Sequence, residues 1–234
     1  MATTIIHNTP GLSNLVYNTT INTTINNTVN NTIEQANTFG DSNNYSEFES
    51  DGTYIAKGDA TVWIDIDYPI IIRTTGTGVP SLVAIATDIT VSQWQINDYN
   101  VCEGQEMVHA WKEGTAAHWH CHIITNGTDV TNRYLRWEIK LTYANVNSQL
   151  VSNTITSLDL VIPANTPDKT HLLQSINTMQ MPGMRIGTHV YARLKRIATS
   201  NIETYPAPSN DPWCSMLQMH IECDTFGSRD IASK

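Results

Sequence analysis

From Asp59 onward, apolar residues recur at every second position in short runs broken by Gly, Pro, Asn and Asp. The segment RWEIKLTYA shows the pattern plainly: Trp137, Ile139, Leu141 and Tyr143 fall on one side, and Glu138, Lys140 and Thr142 on the other. A period of two places successive side chains on opposite faces of a pleated chain, so such a run predicts a half-buried strand rather than a helix. Related runs are TVWIDIDYPIIIRT, SLVAIATDITVSQWQI, EMVHAWKEG, HWHCHIITNG, SNTITSLDLVIPAN, HVYARLKRIAT and WCSMLQMHIECDT. One stretch, 166–180 (TPDKTHLLQSINTMQ), has helical spacing and predicts a single short helix. Many short strands at regular spacing predict an all-β fold, an antiparallel β-sandwich of jelly-roll-like type, over residues 59–234.

The pattern upstream is different. Residues 18–38 open with four copies of Asn-(Thr/Asn)-Thr-(Ile/Val), which place Ile21, Ile25, Val29 and Ile33 four residues apart. In an extended chain these four share one face; in a helix each step of four turns the stripe by about 40°, which favours a right-handed wrap between chains. Thr and Asn are poor helix formers, which favours the extended state. In either state one apolar residue in four cannot be buried within one chain, whereas three copies around an axis bury each row against its equivalents. The segment therefore predicts a trimeric stalk, against the plainer reading of a flexible polar linker. Residues 1–17 are mildly apolar and too short to fold alone, which suits a docking anchor, and 39–58 reads as a Gly/Ser/Asn/Asp-rich connector.

Composition narrows the functions. Hydrophobic residues make up 40% of the 234, enough for a real core, and the net charge of -9 argues against nucleic acid as a partner. No basic start leads into an apolar run and no stretch approaches a membrane span, so neither a signal peptide nor membrane insertion is expected. Cys102, Cys121, Cys214 and Cys223 lack CxxC spacing and read as buried free thiols.

The densest chemistry is HWHCH. In a strand His118, His120 and His122 share one face, neighbours about 7 Å apart, with Trp119 and Cys121 opposite. Such a row could ligate a transition metal, alone or on a threefold axis, or could be hydrogen-bonded within or between subunits. A cupin-type metalloenzyme also carries His-x-His on a strand, but the Glu expected shortly downstream is missing, since the first acid after His122 is Asp129. There is no GxSxG elbow, P-loop, Rossmann glycine pattern or HExxH. Asp65 and Asp67 in WIDID read as a solvated strand face rather than a catalytic pair, the Asn-x-Ser/Thr triplets as composition, and Trp94, Trp111 and Trp213 as core rather than sugar platforms.

Several motifs together resemble a group of bacteriophage virion proteins, components of fibres and of head or tail appendages. These are HWHCH (118–122), WEIKLTY (137–143), MRIGTHVYARLKRIA (184–198) and the ending MHIECDTFGSR (219–229), in which Asp224, Thr225, Gly227, Ser228 and Arg229 fall together. The likeness covers roughly residues 60–234. It implies a β-sandwich, trimeric assembly, location in a virion and a structural rather than catalytic role. The expectation is a non-enzymatic trimeric fibre or decoration protein docked to other capsid or tail proteins by its N-terminus. An alternative is a module for a host receptor or surface glycan, read by the loop NGTDVTN through Asn126, Asp129 and Asn132. A cupin-like metalloenzyme stands third. No cofactor is expected, apart from a transition metal at a trimer axis through His118, His120 and His122.

Overall fold

The computed structural model describes residues 37–48, 53–72, 76–200 and 211–227. The anchor, the repeat with Ile21, Ile25, Val29 and Ile33, and Ser228 and Arg229 of the ending lie outside the described residues.

The strands, in chain order, are β1 (Asn37–Gly40), β2 (Tyr45–Phe48), β3 (Tyr54–Lys57), β4 (Val62–Pro69), β5 (Ser81–Ala86), β6 (Ile89–Gln93), β7 (Tyr99–Val101), β8 (Gln105–Glu106), β9 (Ala117–Ile124) and β10 (Arg133–Ala144). They continue with β11 (Val151–Thr156), β12 (Leu160–Ile162), β13 (His171–Met179), β14 (His189–Ile197) and β15 (Trp213–Cys223). No α-helix occurs among the described residues. Two six-stranded antiparallel sheets make up the sandwich. One has the order β11-β10-β14-β7 with β12 on β10 and β8 on β14; the other has β13-β9-β15-β6-β5 with β4 on β15.

The alternation read from the sequence sets which face is buried. On β10, Leu135, Trp137, Ile139 and Leu141 are buried, and on β9 Trp119, Cys121 and Ile123 point inward from the opposite sheet. With Leu217, Met219 and Ile221 of β15 and Val190, Ala192 and Leu194 of β14 they form one continuous core. At about 25 cal/mol per Å² of apolar surface removed from water, this interleaving of large side chains is the main stabilising force. Trp94 and Trp111 belong to this core, and Trp213 is buried as well.

The predicted helix at 166–180 is instead strand β13, paired with β9. The register shifts between Ser175 and Asn177, which oppose the consecutive residues His120 and Trp119, so Ile176 is an extra, bulged residue. The bulge changes the phase of the inward positions. Leu172, Ile176 and Met179 end up packed at or in the core with i, i+4, i+7 spacing, the signature of an amphipathic helix, while the inward position between them is filled by buried Gln174.

The 39–58 stretch holds more order than a connector. Together with the two residues before it, it forms the antiparallel meander β1-β2-β3. The Ala56 amide donates to the Asp224 carbonyl at 2.7 Å, and the Tyr54 ring stacks on Phe226 with centroids 4.1 Å apart. The Asp224 amide in turn donates to the Ala110 carbonyl at 3.2 Å. The described part of the DTFG ending is therefore a seam that ties the meander to the sandwich.

All four cysteines are free and buried. Burial pushes the Cys102 thiol up to about 12 and raises Cys121 as well, with nearby Cys214 adding to the effect. Thiolate is the reactive form, so the folded protein should be inert to a chromogenic thiol reagent at pH 8 and release four equivalents once denatured. Two equivalents after denaturation would mean a disulfide instead.

Candidate functional site

The outer face of the β13-β9-β15-β4 sheet collects most of the chain's histidines. Because HWHCH alternates, Trp119 and Cys121 anchor it in the core and His118, His120 and His122 stand outward, as the spacing predicts. Register brings further residues alongside: Gln218 and His220 of β15 lie opposite His120 and His118, Asp67 and Asp65 of β4 lie opposite Gln218 and His220, and Leu173, Ser175 and Thr178 of β13 lie opposite His122, His120 and His118. With His171, five of the chain's eight histidines share this face.

A hydrogen-bond chain runs across the strands. Gln218 donates from Nε2 to Asp67 Oδ1 at 2.7 Å, which turns its carbonyl oxygen toward β9. That oxygen accepts from His120 Nε2 at 2.8 Å and from His122 Nε2 at 2.6 Å. In the neutral state both rings therefore carry their proton on Nε2, and bare His122 Nδ1 accepts from His171 Nε2 at 2.8 Å. His220 Nδ1 donates to Asp65 Oδ1 at 2.8 Å, and His118 Nδ1 pairs with the Thr178 hydroxyl at 2.9 Å.

Two expectations are corrected or narrowed by this geometry. Within one chain His118, His120 and His122 do not converge on a point: strand spacing holds them apart and their nitrogens are turned sideways to Thr178, Gln218 and His171. Among the described residues no group of three or more His, Cys, Asp or Glu side chains is placed to hold a metal ion. Asp65 and Asp67 do lie on the outer face, but as acceptors for His220 and Gln218.

The loop expected to bind a ligand is braced internally. Asn126 donates from Nδ2 to the Asp211 carbonyl at 3.0 Å, Asn132 Oδ1 accepts from the Ala164 amide at 2.9 Å, and Asp129 lies 3.6 Å from the Arg133 guanidinium. The Gly127 amide donates to Asp168 Oδ1 at 2.6 Å. These side chains latch the 126–132 loop to its neighbours.

What the sequence reading passed over is Trp63. It sits on β4 outside Asp65, 44% exposed. Its indole stacks on His220 with centroids 5.0 Å apart and planes 13° apart, and His118 meets it at 71° and 5.2 Å. Trp63, Asp65, His118, His120, Leu173, Ser175 and His220 line an open depression of about 520 Å³. Beside it Glu222 is opposed by burial, yet hydrogen bonds from Lys112 at 2.6 Å and Thr61 at 2.8 Å more than offset that cost and hold its carboxyl below the usual range. Register could have found Trp63: in VWIDID it shares the parity of Asp65 and Asp67, an outward face on which a Trp has no core to join.

No protein-family model matches the chain, and comparison with curated proteins gives no match.

Proposed function

We propose that this chain is a non-catalytic structural protein of a bacteriophage particle, a homotrimer whose residues 1–17 dock to other virion proteins, whose residues 18–38 form the stalk, and whose β-sandwich is displayed. The observation that carries the reading is the tetrapeptide repeat, with one apolar residue in four over Ile21, Ile25, Val29 and Ile33 and no means of burying them within one chain. Support on the sandwich comes from hairpin β5–β6, whose strand β5 is apolar on both faces from Leu82 to Ala86 and which leaves Leu82 and Ile89 more than half exposed, as an element that meets another copy would be. The virion setting rests on the resemblance of HWHCH, WEIKLTY and the DTFGSR ending.

Sedimentation equilibrium of the full chain tests the assembly, with three times 26.1 kDa as the expected mass. Replacing Ile21, Ile25, Val29 and Ile33 together by Ser should leave the sandwich's melting midpoint in place and shift the mass toward one chain. A trimer unchanged by the four substitutions would return the repeat to the status of a linker, and a stable monomer of the unaltered chain would overturn the reading. Labelling this protein on intact particles for electron microscopy tests the location.

A further inference from the structure

The geometry points to a carbohydrate-binding site in the Trp63 depression, with a neutral pyranose as its ligand. Three features select that chemistry. The first is an exposed indole that is already held flat: one face lies on the His220 ring, His220 is fixed by Asp65, and His118, which meets the indole edge-on, is fixed by Thr178. A ring so braced loses little freedom when a ligand covers it, and its apolar surface suits the C–H face of a sugar ring.

The second feature is the ring of polar groups around that platform. Asp65 is 39% exposed at its side chain and so has room to accept from a hydroxyl beyond its bond to His220. Ser175 and the imidazoles of His118 and His120 add groups able to donate or accept, and Leu173 closes one wall. A few convergent polar groups around an apolar floor are what fix a small neutral ligand, and a pyranose presents hydroxyls at its rim and C–H bonds on its face. The third is that His118, His120, His220 and Asp65 are held by bonds within the protein, so these parts of the site stand formed without a ligand.

The other chemistries fit less well. A metal would need three converging ligands, which the imidazoles do not provide, and an apolar peptide would leave Asp65 and the imidazoles facing hydrocarbon. The inference does not rest on trimer assembly, and a monomer in solution would leave it standing. If three copies do assemble, weak single sites would act together on a glycan-coated surface.

The test is saturation-transfer NMR on the full chain with the methyl pyranosides of galactose, glucose, mannose and N-acetylglucosamine, followed by titration of any that respond. Binding of at least one is expected with a dissociation constant on the order of 1 mM. Trp63→Ala should weaken it about tenfold or more, the size expected for removing one aromatic contact, while Trp63→Phe retains most of it; the melting midpoint of both variants shows whether the sandwich is intact. No transfer to any of the four sugars, or transfer unchanged in Trp63→Ala, overturns the proposal. Tighter binding of a capped Leu-Phe dipeptide than of every pyranoside overturns it too, in favour of a peptide groove.

Discussion

Replacing Arg196 with Met should lower the stability of the sandwich by about 3 to 5 kcal/mol at pH 7, the usual cost of removing one partner from a buried ion pair. Arg196 is the innermost-facing end of the series Val190, Ala192, Leu194, Arg196 on β14, and its side chain is fully buried. One guanidinium nitrogen donates to Asp211 Oδ1 at 2.6 Å and to the Trp94 carbonyl. The backbone of Arg196 also bonds residues on both sides of the turn: the Asn97 amide donates to its carbonyl and its own amide donates to the Asp98 carbonyl. Methionine restores most of the volume and none of the charge, leaving the Asp211 and Asp98 carboxyls buried without their cation.

A melting experiment at two pH values separates this cause from simple loss of packing. Burial raises both carboxyls in the native protein; Arg196 opposes the rise at each, and at Asp98 the amide of Gln95 opposes it as well. A carboxyl whose folded value is raised costs nothing below its unfolded value, about 3.9, and destabilises as the pH climbs through the raised folded value. Without Arg196 both should rise further, so the deficit of Arg196→Met relative to the unaltered protein should be largest at pH 7 and shrink at pH 4. The fall in melting midpoint at pH 7 should be roughly 10 °C, at 2 to 4 °C per kcal/mol for a domain of this size. An equal deficit at both pH values would mean that the ion pair is not its source.

Trp137→Ala should cost a comparable amount, about 3 to 5 kcal/mol, by opening a cavity between the sheets. The Trp137 ring is completely buried and meets Trp94 edge to face, centroids 5.3 Å apart. Urea unfolding followed by far-UV circular dichroism would show the midpoint falling with little change in slope. The two sites share Trp94, whose ring packs on Trp137 and whose carbonyl caps Arg196. The double variant should therefore lose less than the sum of the two single losses, and strict additivity would show that Trp94 does not couple them.

Particular residues show why parts of this structure were legible in the sequence and others were not. β10 and β9 alternate without interruption, so Trp137, Ile139 and Leu141 reveal the buried face and HWHCH reveals its outward histidines. β13 alternates too, but one bulged residue at Ile176 converts its inward spacing to that of a helix, and nothing local marks the bulge. The meander at 37–57 was hidden because its strands are four residues each and separated by turn-forming residues such as Asp41, Ser42, Asn43 and Asn44; it is defined by contacts to Asp224 and Phe226, far along the chain. Loop residues Asn126, Asp129 and Asn132 have the polarity of a binding loop, yet that polarity is spent on bonds to Asp211, Arg133 and Ala164. Arg196 and Trp63 are the reverse case, a charge on the inward parity of its strand and an aromatic on the outward parity of its own. A parity that breaks the expected chemistry is the signal that finds them.

The placement of β15 has a consequence for how the chain is made. This strand lies at the centre of its sheet, bonded along one edge to β9 and along the other to β6 and then β4, yet it follows every other described strand in the sequence. During synthesis β9 therefore waits, with one hydrogen-bonding edge unpaired, for on the order of ten seconds at usual elongation rates. An unpaired central edge of that kind is a template for the same strand of a neighbouring nascent chain. Completion of this sheet thus depends on the last described strand reaching β9 before the same strand of another chain does.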